Sequence, residues 1–179
     1  VYITFKVLDY ADLTVDGSLA TGGAVAVMCI INGANPYVAI AAAFAAGMLA
    51  GFVTGLFHTV FGIPPILSGI LTQLGLYSVN MRILGKANQA VSVDQYALTV
   101  SLRYIKEACI TTGICCIIII LILYWFFGTE LGASIRATGC NQNMARAQGI
   151  NTNVQKVLGL VLSNGLVGIS GALYAQYQG

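Results

Sequence analysis

Two short stretches of this chain hold residues whose types and spacing could do chemistry. The first is the acidic run Asp9, Asp12 and Asp16, which stands directly before a segment of small apolar residues. Carboxylates close to an apolar span are expensive to bury and often functional. Asp12 and Asp16, with Gly17 beside them, are candidates for lining a pathway or fixing a broken helix. In that reading Asp16 caps a helix beginning near Ser18. The bland reading is a solvated turn whose acids favour a helix N-terminus. Metal binding by the three aspartates is not expected.

The second stretch is GTELGASIRATGCNQNMARAQGIN, residues 128–151. Arg136, Arg146 and Lys156 set against Glu130 leave the loop 128–156 net positive, which favours the cytoplasmic side of a membrane. Asn141 suits an N-cap, residues 142–148 a short helix and Gly149 its C-terminal stop. Met144 and Ala147 then share one face at i, i+3 spacing. The result is a short amphipathic helix between two spans, a shape suited to a partner's groove. From the residues alone, a solvated connecting loop is an equal reading.

Other chemistry is scarce. No H-E-x-x-H, no G-x-S-x-G and no paired intramembrane carboxylate occurs, so an enzyme embedded in the membrane lacks its catalytic set. There is no G-x-x-x-x-G-K-[ST], so the chain does not hydrolyse ATP itself. Of the five cysteines, Cys115 and Cys116 are adjacent and lack metal or redox spacing. All five are read as small apolar fillers. No cofactor is implied.

The elements that must position these residues belong in a bilayer. Of 179 residues, 8% are charged and 58% apolar, and the mean hydropathy is +0.84. Eight basic and six acidic side chains cannot cover a water-soluble domain. The same shortage excludes nucleic-acid binding, which needs a dense Lys/Arg footprint. The fold class is therefore all-α, a polytopic helical bundle in the lipid membrane, with 1–179 as one partial domain. Spans are expected near 18–31, 37–57, 63–81, 108–127 and 157–174. The first is short against the roughly 20 residues a bilayer core requires, so it reads as a half-helix or a helix starting in a protein-lined cavity. Pro36 suits a helix start. Gly47-x-x-x-Gly51-x-x-x-Gly55 has the spacing that lets two helix backbones approach closely. His58, at the end of that helix, reads as an interface residue. Segment 63–81 opens on Pro64-Pro65 and contains Gly69, Gln73, Gly75 and Asn80, so it reads equally as an ordinary span or a re-entrant helix. Residues 82–107 read as a polar loop with a short amphipathic piece. Residues 108–127 form the clearest span, ended by the aromatic run Tyr124 to Phe127. Both chain ends read as cuts through a longer protein, with Val1 to Phe5 as the tail of an earlier helix.

The loop pattern Gly132-x-x-x-Arg136-Ala137-x-Gly139-x-Asn141, followed by Ala145-x-x-x-Gly149-Ile150-Asn151, resembles the cytoplasmic loop of a family of ABC-importer permeases. That family includes the branched-chain amino acid and ribose permeases. The run Asp12-Leu13-Thr14-Val15-Asp16-Gly17-Ser18 resembles the family's "DLSVGS"-like segment, closest to a branch of amino-acid permeases, some linked to aromatic amino acids. The resemblance implies a multi-pass permease of the plasma membrane that imports a small nutrient, an amino acid above all. It also implies three protein partners: a cytoplasmic ATP-binding subunit, a second permease subunit in a homodimer, and an extracytoplasmic substrate-binding protein. In the family the short loop helix is the coupling helix that docks on the ATPase. By position that role falls on Arg136, Ala137, Asn141, Ala145, Gly149 and Ile150. The alternative function is an ion-coupled secondary transporter, which needs ionisable groups near the midplane. Segments 37–57 and 108–127 carry none before their ends.

Overall fold

In the computed structural model, which describes residues 1–85 and 105–178, every regular element among the described residues is helical. A π-helical turn at Ile3–Val7 leads into a non-helical passage. Then follow α1 (Val15–Ile31), α2 (Pro36–Thr59), α3 (Pro65–Leu84), α4 (Ile105–Gly128), α5 (Glu130–Cys140), α6 (Gln142–Ala147) and α7 (Thr152–Gln178). Both α2 and α3 open on proline, whose fixed φ suits a first turn and whose missing N–H is not needed there. Between α1 and α2 the chain turns at Gly33, φ +82°, a left-handed conformation that favours glycine.

Among the described residues, α2, α7 and the Ala108–Gly128 part of α4 are long and apolar enough to cross a membrane. At 1.5 Å per residue α2 rises roughly 36 Å, more than a hydrocarbon core of about 30 Å. At 17 residues α1 is shorter. It starts inside the bundle, at the level of Thr54 on α2 and Asn164 on α7.

Packing centres on α7, which packs against both α1 and α2. The contacts are backbone to backbone. A Cβ on Gly47 would run into the carbonyl oxygen of Asn164, and one on Gly51 into that of Leu160. On the other side, Gly22 of α1 abuts Gly168, and Gly171 abuts Leu19. With little apolar transfer energy to be gained inside lipid, such close approach is what dispersion forces need to hold helices together. Helix α7 runs parallel to α1 and antiparallel to α2, so the end of α2, the starts of α3 and α7, and α5 with α6 all gather at one end of the bundle. Ile30, Ala39 and Ala172 form an apolar cluster at the other end, with Leu84 of α3 against it.

The surface is what a bilayer requires. None of the most apolar window of α4 is buried, and its outward side chains include Ile110, Ile114, Ile117, Ile118 and Leu121. So large an apolar face is stable only in hydrocarbon or against another membrane protein.

Several expectations shift. Residues 63–81 contain no re-entrant break: α3 is one continuous helix. The stretch 128–156 holds two helices, not one, and α7 begins at Thr152 within it. Of the five cysteines read as apolar fillers, Cys29 is half-buried against the Ile30 cluster and Cys115 half-buried, while Cys109, Cys116 and Cys140 are exposed. The amphipathic piece expected within 82–107 falls largely on residues 86–104, outside the described residues.

Candidate functional site

At the end of the bundle that carries α5 and α6, local sequence chemistry accounts for most of the geometry. Thr129 turns the chain between α4 and α5, its hydroxyl donating to the Phe126 carbonyl at 2.6 Å. Gly132 lets α5 fold back onto the last turn of α4, and Gly139 rests on the carbonyl of Val7 in the N-terminal turn. A side chain at either would push the backbones apart. Arg136 is exposed, and its Nη2 donates to the Phe127 carbonyl at 2.8 Å. It thereby satisfies one of the carbonyls a helix leaves open at its C-terminus. It also borders an apolar cleft of about 780 Å³ that Tyr2, Tyr124 and Trp125 line. Ala137 is half-buried on the same helix.

Helix α6 is six residues long and closed at both ends. Asn141 is extended at its start, and its Oδ1 accepts from the amides of Asn143 (3.0 Å) and Met144 (3.1 Å). At the other end Gly149 has φ +81°; its amide donates to the Arg146 carbonyl and the Ile150 amide to the Ala145 carbonyl, each at 3.0 Å. That pair of bonds is a Schellman motif. Ala145 is buried, Ile150 half-buried, and Met144, Ala147 and Gln148 face outward. A further bond, Arg146 Nε to Thr152 Oγ1 at 2.9 Å, fastens α6 to the first residue of α7. Replacing Asn141 by alanine removes the N-cap. The expected cost is about 1 kcal/mol of α6 stability, read as faster hydrogen exchange at the Asn143 and Met144 amides.

The acidic run separates. Asp12 is buried, 7% exposed, in the non-helical passage before α1. Its Oδ1 accepts from the Thr14 amide at 2.9 Å and its Oδ2 from Asn164 Nδ2 at 2.8 Å. Asn164 in turn accepts from the Ser18 hydroxyl at 2.6 Å and donates to the Leu160 carbonyl at 3.1 Å. The layer continues sideways. The Thr54 hydroxyl donates to the Ala50 carbonyl, so it accepts from Thr14 Oγ1 at 2.9 Å. Likewise Ser68 Oγ donates to the Thr54 carbonyl, so Tyr10 donates to it across 3.3 Å. Residues of α1, α2, α3 and α7 thus meet the irregular backbone before α1. Such backbone is tolerated at membrane depth only when protein covers it; Leu8, Tyr10, Asp12 and Thr14 are all buried.

Asp16 does not cap α1. The helix begins at Val15, ahead of the expected start; its N-cap residue is Thr14, without a side-chain cap bond, and Asp12 accepts from the Thr14 amide. Asp16 is left exposed in the first turn, where its charge still suits the helix dipole. Gly17 packs against α3, 3.2 Å from Gln73 Cα for a built Cβ. Among the described residues, no three His, Cys, Asp or Glu side chains group as a metal site. Sequence reading missed Asn164, Thr14, Thr54, Ser68 and Tyr10. Asn164 alone had a signal, an amide in the middle of an apolar helix.

The class follows from this geometry: a multi-pass α-helical membrane protein with a broken first helix and a short, doubly capped helix at one end. The chain belongs to the family described as branched-chain amino acid transport system / permease component, whose model matches residues 1–179. It is 40% identical over 179 residues to a tyrosine transport system permease protein of Clostridioides difficile (strain R20291), covering all of this chain and 59% of that protein. An uncharacterised protein of Rickettsia prowazekii (strain Madrid E) is 31% identical over 178 residues, 99% of this chain and 62% of the other. An autoinducer 2 import system permease protein of Yersinia pestis (strain Pestoides F) is 29% identical over 136 residues, 74% of this chain and 38% of the other. The chain thus spans less than two thirds of the length of these relatives. No solved structure matches it.

Proposed function

We propose that this chain forms part of the translocating subunit of an ATP-binding cassette importer for an amino acid, and that α6 is its coupling helix. One observation carries the reading. Helix α6 is capped at both ends by Asn141 and Gly149 and fastened by Arg146 to the start of α7, so it moves with the bundle as one piece. A rigid lever of this kind turns closure of a partner into displacement of spans. Arg136 and Ala137 brace the α4–α5 corner behind the lever, while Ala145 and Ile150 seat it. Its partners are a cytoplasmic ATPase docked on the Met144 face, a second copy of the permease, and an extracytoplasmic binding protein that delivers substrate. The name of the Clostridioides relative supports an aromatic amino acid such as tyrosine. In this reading Asp12 holds the break before α1, with Gly17 fitted against α3, and Asp16 is the carboxylate free to border the pathway.

The test is co-purification of the full-length permease with its ATPase, followed by amino-acid uptake in proteoliposomes. Uptake driven by ATP, with no dependence on a sodium or proton gradient, is the expected result. Uptake driven by an ion gradient without ATP, or failure of any ATPase to bind, overturns it. Within the same system Gly149→Val is expected to lower uptake per ATP hydrolysed about tenfold. A β-branched residue in the left-handed region costs roughly 1–2 kcal/mol, enough to open the stop after α6. An unchanged ratio in a well-folded variant counts against the lever.

A further inference from the structure

His58 and Lys156 stand where the lever meets the rest of the bundle, and neither has a part in the reading above. Lys156 lies one turn into α7, on the same end as the Arg146–Thr152 bond. Its Nζ is 3.4 Å from His58 Nε2 at the end of α2. The other imidazole nitrogen, Nδ1, is 2.9 Å from the Ile63 carbonyl in the turn between α2 and α3. The ring meets Tyr10 edge-on, with centroids 5.1 Å apart, and the Tyr10 hydroxyl reaches Ser68 of α3. A continuous set of directional contacts therefore runs from α6 through α7 to α2, the α2–α3 turn and the buried polar layer.

The hydrogen positions follow from the partners. An ammonium only donates and a carbonyl only accepts. With Lys156 donating, His58 accepts at Nε2 and donates from Nδ1, one tautomer of the ring. The titratable and charged groups facing the ring are Lys156 from α7 and Tyr10 from the passage before α1, with Arg146 of α6 acting on Lys156 through space. No carboxylate makes an ion pair with Lys156 among the described residues, and its hydrogen bond goes to His58.

We propose that the His58–Lys156 hydrogen bond is a positioning link that passes movement of α6 to the α2–α3 turn. The proposal rests on the importer reading. Its consequence is that breaking the bond lowers uptake per ATP hydrolysed, while ATP hydrolysis by the partner need not fall.

The experiment measures uptake of a radiolabelled amino-acid mixture per ATP hydrolysed, using full-length permease with its ATPase in proteoliposomes. Lys156→Met is expected to lower the ratio roughly fivefold, and Lys156→Arg to restore it. His58→Gln keeps an acceptor and a donor and is expected to hold the parental ratio, while His58→Leu is expected to lose it as Lys156→Met does. If Lys156→Met does not fold, the His58 pair decides by itself. A folded His58→Leu or Lys156→Met with parental coupling overturns the link and leaves the importer reading standing. A parent protein with no ATP-driven uptake overturns both.

Discussion

Replacing Gly47 by alanine is expected to destabilise the bundle by about 1–3 kcal/mol, although alanine is the better helix former. The added methyl would collide with the carbonyl oxygen of Asn164 and stand 3.0 Å from its carbon, all backbone atoms of α7 that no rotamer can move. Relief requires the two helices to separate. Gly51 against Leu160 and Gly168 against Ala43 hold the same crossing above and below, so a small rotation cannot provide it. Separation would also strain the hydrogen bonds that Asn164 makes to Asp12 and Ser18, which places the cost towards the top of the range. Gly75 and Gly113 supply the contrast, for a Cβ on either meets nothing within 4 Å. Gly75→Ala and Gly113→Ala are expected to be neutral, or stabilising by up to about 1 kcal/mol. Thermal unfolding of the full-length protein in detergent reads all three. Equal shifts for Gly47→Ala and Gly113→Ala would show that α2 and α7 do not cross where the structure has them.

What could be read from the sequence divides along a physical line. Features set by neighbours within a few residues were readable. Pro36 opens α2, Asn141 caps α6 and Gly149 stops it, because each is a short-range hydrogen bond or a φ preference. The all-α membrane class followed from composition, since nothing else keeps so apolar a chain stable. The Gly47, Gly51 and Gly55 spacing announced a close helix crossing, and a crossing with α7 is what those residues make.

Features set by distant parts of the chain were not readable in this way. Helix α5 was missed because its inward face is Gly132, Ile135, Thr138 and Gly139, two of them glycines that lower helix propensity. They are there to let α4 and the N-terminal turn come close. Asp16 looked like the cap because it adjoins the apolar run. The carboxylate that holds the start of α1 is Asp12, bonded to the amide of Thr14 and to Asn164, which lies 152 residues away. His58 was read as an interface residue, and its place between Tyr10 and Lys156 fits that reading. The partners themselves depended on how α2 and α7 cross. The coupling residues were found by resemblance to a motif; their local geometry explains Gly132 and Gly139 as packing positions and Asn141 and Gly149 as caps.

Asn164→Leu is expected to be the most damaging polar substitution in the bundle, at roughly 3 kcal/mol or more. Leucine is close to asparagine in size, so the loss is one of hydrogen bonds and not of volume. Asp12 Oδ2 would lose its side-chain donor and the Ser18 hydroxyl its acceptor, both at positions that water does not reach. The carboxylate dominates, because an ionised group left buried with one donor costs far more than a neutral one. Asp12→Asn is expected to be mild by itself. A rotated Asn164 amide can turn its oxygen to the new NH₂, and the Thr14 amide keeps its acceptor. The double variant Asp12→Asn with Asn164→Leu is then expected to be less damaged than the sum of the two, since the unpaired group is no longer charged. That shortfall, measured as a double-mutant cycle by unfolding in detergent, is the interaction itself. Strict additivity would mean that Asp12 and Asn164 do not meet. The break before α1 would then need some other anchor. A positive coupling fixes where α1 begins. It ties that start to α7, the helix whose first residue is bonded to α6.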